Sequence, residues 1–504
     1  MPPVHRAAVI GLVVATVAVG AAAASATLWH AHTASSSIQS GSHGLVTGFL
    51  LEDEPDSTQV VIDKRIATTG STIVRIHALW SEIAPATPGS KFEPTNPADP
   101  EYAWQKLDAS IQHAHAAGLQ VLLTVTGAPH WAERGGTGYA TAYAAYNPDP
   151  KAFGQFATAL AKRYDGSFRG LPRIRYFEVW NEPNVSFYFT PQSETEADGT
   201  KVNVAATLYR ALVNSFADAV HQVDRNNIVV AGSLAPFTIQ GVSYVESTGG
   251  IHFLRELLCL SLSGPPRPTC SAKAHFDALS FHPYTSGGPT HHALNPGDLS
   301  LGDMPAARAV LAAGIKAGHV VSSMPVGMWV TEFSWDTNPP DPQAVPAGLQ
   351  ARWVAEALFR MWKNGVSRVI WYQVRDWAYP GTDYQSGLYF KGATLSADRP
   401  KPGLLAFHFP FVAYAAHGRI AFWGRDENST SARVTIQLRT GGRWRTVGTK
   451  TADRFGIFQG SFASAARQGV ARAVVDNVSS RSFSLQPPAN ENMAVTPFGV
   501  GSKK

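Results

Sequence analysis

Two glutamates, Glu182 and Glu332, stand where a chain would put catalytic carboxylates. The first closes Arg173–Asn184, RIRYFEVWNEPN, a mostly apolar and aromatic run that ends abruptly in Asn181-Glu182-Pro183. The second closes the apolar part of Pro325–Trp335, PVGMWVTEFSW. Each reads as a short buried strand delivering an acid to its C-terminal edge, where parallel barrels keep their chemistry. Period-two alternation puts Tyr176, Glu178, Trp180 and Glu182 on one inward face, and Val326, Met328, Val330 and Glu332 on another. A carboxylate inside a sheet is costly unless it is paired or used. Two carboxylates facing each other across a barrel mouth suit glycoside hydrolysis. One protonates the leaving oxygen while the other attacks the anomeric carbon or activates water to do so.

The elements that must position this pair recur along the chain. Strands are expected at Leu45–Leu50, Ile73–Leu79, Gln120–Thr126, Ile174–Trp180, Ile228–Gly232, Ala278–His282, Gly327–Thr331 and Val369–Gln373. Ala- and Leu-rich helical segments separate them, such as Tyr102–Ala117, Lys151–Tyr164, Asn203–Val223, Pro305–Ala317 and Gly348–Trp362. This alternation predicts a parallel sheet, closed by right-handed crossovers into a (β/α)8 TIM barrel over residues 44–415, in the α/β class. Helix-to-strand connections are terse, as in Ala117-Gly118-Leu119, whereas strand-to-helix loops are long, as in Ile83–Pro100, His130–Pro150 and Trp377–Gly403. Long loops on one face are where a barrel carries function. They hold Trp80, Trp131, Tyr139, Phe187, Tyr188, Trp335, Trp377 and Tyr379, each of which packs its own loop unless a sugar claims it. After a last helix at Pro402–Ala415, short alternating segments predict a small C-terminal antiparallel β-sandwich over 416–487, more a brace than a binding module, and then a disordered tail over 488–504.

At this point the chain resembles a known superfamily. WNEP after strand four with a Glu ending strand seven is similar to the retaining (β/α)8 glycoside hydrolases, which include cellulases, β-xylosidases and α-L-iduronidase. Ala128-Pro129-His130-Trp131 and Ser280-Phe281-His282-Pro283-Tyr284 look most like the family of β-xylosidases and iduronidase, with the cellulase-like family close behind. The resemblance spans roughly Gly44 to Phe411. It implies Glu182 as general acid/base, Glu332 as nucleophile and Asn181 as the partner of the sugar 2-hydroxyl. His282 and Tyr284 leave strand six placed to donate to Glu332. Arg75, inward on strand two with Ile73 and His77, demands an anion, with Glu332 or Glu178 to supply it. Trp371, inward on strand eight, is expected as a floor for the sugar ring, and His130 as a substrate contact. The substrate is an oligo- or polysaccharide; no cofactor is expected, and no metal, because His and Asp do not gather at successive strand ends. The competing reading is a non-catalytic carbohydrate-binding or cell-surface protein on the same fold, since fold alone does not imply activity. Both carboxylates, Asn181 and Arg75 favour the enzyme.

Composition bounds the rest. With 504 residues, 44% hydrophobic and 16% charged, the chain suits one large barrel plus a smaller domain. A net charge of +5 without a dense basic run gives nucleic-acid binding no support. His5-Arg6, an apolar run from Ala7 to Ala24 and then Ser25-Ala26 fit a secretory signal peptide over 1–26, followed by a linker over 27–43. The run is also long enough for an uncleaved N-terminal anchor, which would be the protein's membrane contact. Either places the bulk outside the cytoplasm. In an oxidising compartment the two cysteines, Cys259 and Cys270, are expected to pair and clamp the Pro-rich loop Ser263–Thr269.

Overall fold

Eight strands close into a parallel barrel in the computed structural model, which describes residues 38, 43–51, 56–136, 141–239, 245–322, 324–382 and 384–495. The signal segment, nearly all of the linker and Tyr139 lie outside the described residues. The strands are β1 (Val46–Leu50), β2 (Ile73–Leu79), β3 (Gln120–Thr126), β4 (Tyr176–Val179), β5 (Ile228–Leu234), β6 (Ala278–Phe281), β7 (Gly327–Val330) and β8 (Val366–Trp371), each paired with its sequence neighbours and β1 with β8. The helices between them are α1 (Asp56–Thr68), α2 (Gln105–Ala116), α3 (Pro150–Arg163), α4 (Ala205–Val223), α5 (Gly250–Leu257), α6 (Met304–Lys316) and α7 (Ala347–Lys363), and α8 (Pro402–His408) follows β8. Local chemistry sets their ends. Pro150 opens α3 while the Asp149 carboxylate accepts from Ala152 N, and Gly118, at φ 78, a value that L side chains rarely adopt, follows the end of α2.

The barrel interior is layered. At its base Arg368 lies over the Tyr176 and Trp329 rings, 4.7 and 4.3 Å from their centres, among Ile73, Leu122, Ile228 and Ile370. Above this apolar layer sit Arg75, Thr124, Glu178 and Ser280, all buried. The outward residues of the strands join the large core shared with the helices.

Strand parity differs from expectation at three ends. In β7 it is Trp329 that points inward, while Val326, Met328 and Val330 pack against the helices, and the strand stops at Val330, so alternation no longer governs Glu332. In β8 the inward residues are Arg368 and Ile370, followed by Tyr372 just past its end. Trp371 faces out, 1% exposed, against Phe333 and Phe407, so it is not a floor for a sugar. In β4 the strand ends at Val179, and Trp180, at φ 68, turns outward onto Phe153 and Phe189.

The helix expected over 402–415 stops at His408, because Pro410 cannot continue it, and β9 (Phe411–Ala416) begins instead. With β10 (Arg419–Arg425), β11 (Arg433–Thr440), β12 (Arg443–Thr451), β13 (Ile457–Ala463), β14 (Val470–Val475), β15 (Val478–Ser479) and β16 (Phe483–Ser484) it makes two antiparallel sheets, β9-β10-β13 and β12-β11-β14-β15, with β16 also on β14. Trp423 of the first sheet packs on Phe359 and Trp362 of α7, which braces the barrel. Of the tail expected to be disordered, the described part packs on the barrel: Glu491 pairs with Arg352, and Val495 N donates to Ser286 O. Cys259 and Cys270 form a disulfide. Among the described residues no helix is long and apolar enough to cross a membrane.

Candidate active site

Arg75 organises the mouth. Its Nε donates to Glu178 Oε2 at 2.7 Å and to Thr124 Oγ1 at 2.9 Å. Glu178 also accepts from the hydroxyls of Thr124 (2.7 Å) and Ser280 (2.8 Å), so this buried carboxylate is fully engaged from below. The rest of the guanidinium faces upward. Nη1 donates to Glu332 Oε2 at 3.0 Å, and Nη2 to Asn181 Oδ1 and Ser233 Oγ, both at 2.9 Å. Burial alone would lower the Arg75 pKa, but the charges of Glu178 and Glu332 outweigh it and hold the group above its usual value.

Glu332 takes a second bond on its other oxygen, from the Tyr284 hydroxyl at 2.8 Å. Burial, and then the Glu332 charge, push the Tyr284 pKa well up, so the phenol keeps its proton and donates. Asn181 has its amide oxygen fixed by Arg75, which leaves the NH2 group as a donor for whatever enters the mouth. Glu182 sits opposite Glu332, with an oxygen of each, together with a His282 nitrogen, within 4.8 Å of one another. Both carboxylates are partly open, at 13% and 15% exposure. Burial, and then repulsion by Glu332, raise the Glu182 pKa well above the ordinary carboxylate value, with Arg75 opposing.

His282 does not join Tyr284 on Glu332 as expected. Its Nδ1 lies 2.9 Å from Glu182 Oε1 and 4.0 Å from Glu332 Oε2, because the ring leaves β6 toward the β4 side. Its Nε2 lies 2.9 Å from Ser233 Oγ. Burial, and then the Arg75 charge, push the His282 pKa well down, so the ring is neutral. The tautomer that satisfies every group has the Ser233 hydroxyl donating to Nε2 and Nδ1–H donating to Glu182. That uses both ring nitrogens. Among the described residues Glu182, His282 and Glu332 are the group whose atoms could converge on a metal ion, but the Arg75 cation beside them and the occupied His282 lone pair oppose it.

Two further expected contacts are resolved differently. Tyr372, buried and inward, takes the place foreseen for Trp371; Tyr384 meets it edge-on at 5.3 Å, and Trp377 meets Tyr384 at 5.1 Å. His130 is not brought to the cluster: its side chain is 83% exposed and bonds Glu133 at 2.8 Å. The neighbouring Trp131 is held on its own loop by Pro85 O and by edge contact with Trp80. Sequence reasoning missed Ser233, Thr124 and Ser280. The signal for the last two was a hydroxyl at inward parity within an apolar strand.

Residues 37–298, just over half of the chain, match the cellulase family, glycosyl hydrolase family 5. Among solved structures, a family 39 glycoside hydrolase from the gut symbiont Bacteroides cellulosilyticus WH2 superposes with a TM-score of 0.50 at 15% identity, covering 84% of this chain and 81% of that one. A family 39 enzyme from Xanthomonas axonopodis pv. citri gives 0.46 at 14% identity, covering 84% and 91%. At such identities the likeness is one of fold. No curated protein matches the chain.

Proposed function

The chain belongs to the cellulase family, glycosyl hydrolase family 5, and is a glycosidase; from that membership we propose that it cleaves O-glycosidic bonds of oligo- or polysaccharides with retention of configuration. The observation that carries the proposal is the approach of the Glu182 and Glu332 oxygens within 4.8 Å. Retaining pairs stand about 5–5.5 Å apart, whereas inverting pairs need about 6.5–9.5 Å to admit a water. In this reading Glu332, kept anionic by Arg75 and Tyr284, attacks the anomeric carbon. Glu182, kept protonated by burial and by Glu332, gives its proton to the departing oxygen. Because His282 Nδ1–H occupies Oε1, the proton to be delivered rides on Oε2. Once ionised, Glu182 takes a proton from the water that releases the sugar from Glu332.

The Asn181 amide is the donor to the sugar 2-hydroxyl in this scheme, and Tyr372 the inward aromatic below the ring. Proton NMR of the first-formed product tests the stereochemistry: the retained anomer is expected, and an inverted first product would remove Glu332 from the nucleophile's role. The apolar run after His5-Arg6 and the Cys259–Cys270 disulfide support a place outside the cytoplasm. Fractionation of expressing cells tests this, and activity confined to the cytosol would overturn it.

A further inference from the structure

Charge is unevenly spread along this chain. Between Phe411 and Pro487 there are eleven Lys/Arg and four Asp/Glu, although the whole protein carries a net charge of only +5, so the barrel side is slightly acidic and the sandwich strongly basic. The basic groups do not all serve as structural counter-ions. On β11 the residues Val434, Ile436 and Leu438 are buried against the other sheet, while Thr435, Gln437 and Arg439 face out. Across the strand pairs Arg439 stands opposite Trp444 of β12, and Gln437 opposite both Thr446 of β12 and Arg472 of β14. The guanidinium carbons of Arg472 and Arg439 lie 4.2 and 5.1 Å from the Trp444 ring centre. Among the described residues neither arginine pairs with a carboxylate; Arg472 Nε is held by Gln437 Oε1 at 2.9 Å.

We propose that this outer face, built on Arg439, Trp444 and Arg472, is a binding surface for an acidic polysaccharide, separate from the barrel mouth. A guanidinium stacked on an aromatic ring keeps its in-plane N–H fork free, and that fork matches a carboxylate bidentately. Stacking on Trp444, and for Arg472 the bond to Gln437, hold the forks in place before a ligand arrives, so little side-chain entropy is lost on binding. Gln437, Thr446 and Thr449 add amide and hydroxyl groups suited to sugar hydroxyls. The face lacks what other polyanions would use. Its one tryptophan is already covered by arginine, so there is no row of stacking platforms for bases, and there is no apolar wedge to enter a lipid surface. A polymer that repeats carboxylates along a sugar backbone fits both the forks and the hydroxyl partners, and the surface would hold a glycosidase on such a matrix. The proposal rests on family membership and not on the roles of Glu182 and Glu332.

Affinity electrophoresis or equilibrium depletion of the full chain on polygalacturonate, on its methyl ester and on neutral xylan tests the surface. Polygalacturonate is expected to retain the protein at least tenfold more strongly than the ester, with retention weakening as salt rises. The double variant Arg439→Gln/Arg472→Gln should lose that difference while its thermal unfolding and its hydrolysis of small aryl glycosides stay unchanged. Arg439→Glu alone, beside the hairpin turn, gives the same reading should the double variant unfold. Equal retention on polygalacturonate and its ester, undiminished binding by the folded variants, or equal binding of a DNA oligonucleotide or of anionic phosphatidylserine vesicles would each overturn the proposal.

Discussion

His282 Nδ1 lies 2.9 Å from Glu182 Oε1, and this bond couples the acid to Ser233 on the far side of the ring. Ser233 accepts from Arg75 and thereby directs its single proton to the histidine, which fixes which histidine nitrogen faces Glu182. The serine does this from a left-handed backbone, φ 51, which costs about 1 kcal/mol in a non-glycine residue.

Ser233→Gly separates the hydroxyl from the backbone. Glycine adopts that φ freely, which offsets part of the roughly 1–3 kcal/mol cost of leaving His282 Nε2 without its donor, so the variant should stay folded and melt only a few degrees below the wild type. Its kcat should fall by roughly 10- to 100-fold, because the tautomer at His282 is no longer set and the Glu182 proton is no longer confined to one oxygen. Calorimetry and steady-state kinetics on the same preparation check this. Unchanged kcat would make Ser233 a packing residue.

Arg75 serves two carboxylates at once, and the two debts can be told apart. Arg75→Met leaves Glu178 buried and unpaired, with an expected loss of about 3–5 kcal/mol in stability. Adding Glu178→Gln removes the stranded charge and should recover most of that loss. Activity should not return, because Glu332 and Asn181 still lack their donor; kcat/KM should stay about 10²–10³ below the wild type, with the acidic limb of the pH profile moved upward. Unfolding curves and pH–rate profiles of the single and double variants decide it, and recovery of activity with stability would reduce Arg75 to a structural role.

At the junction of barrel and sandwich Glu356 of α7 is 3% exposed, accepts from the Tyr414 hydroxyl at 3.0 Å and faces Arg352 and Glu491. Burial pushes its pKa up to about 8 against the Arg352 charge. The folded chain therefore binds this proton up to about pH 8, while the unfolded chain releases it near 4.5. Between those values the native state holds more protons, so this group's contribution to stability falls as pH rises through the window. Glu356→Gln lacks that slope. It should match the wild type near pH 5 and exceed it at pH 9 by an amount on the order of a few kcal/mol. Melting temperatures at both pH values check this, and parallel curves would mean that Glu356 is already ionised in the fold.

The eight strands were legible because each is built on a short, mostly apolar stretch, and the two carboxylates because each stands just past the end of such a stretch. Strand ends were not. Alternation counts faces only while the backbone stays extended, and Trp180 and Glu182, at φ 68 and 45, leave that region within three residues. Ser233 was hidden for a related reason: Gly232 reads as the end of a strand, yet β5 continues through it to Leu234, with φ 110 at the glycine and Ser280 O only 2.3 Å from where a Cβ would stand. Tyr372 and Trp371 are adjacent aromatics in a buried strand, and nothing in their types says which one faces the lumen. The Arg439–Trp444–Arg472 face required strand pairing across residues distant in sequence, which no local pattern carries.

The roles of the two glutamates separate by what each step asks of the leaving group. If Glu182 is the acid, Glu182→Ala should still form the glycosyl-enzyme from substrates whose leaving group departs without a proton, such as dinitrophenyl glycosides. Water attack on that intermediate then lacks its base, so the intermediate accumulates and a burst precedes slow turnover. Azide needs no base and fits the space the carboxylate leaves, so it should restore turnover and give a glycosyl azide of retained configuration. Glu332→Ala loses the covalent step for good and poor leaving groups alike, since Arg75 and Tyr284 then surround no nucleophile. Azide there can attack only from the vacated side, and its product should have inverted configuration. Product NMR distinguishes the two. Equal loss by Glu182→Ala on every leaving group, with no rescue by azide, would remove Glu182 from acid/base duty and leave the neutral His282 beside it without a partner to orient.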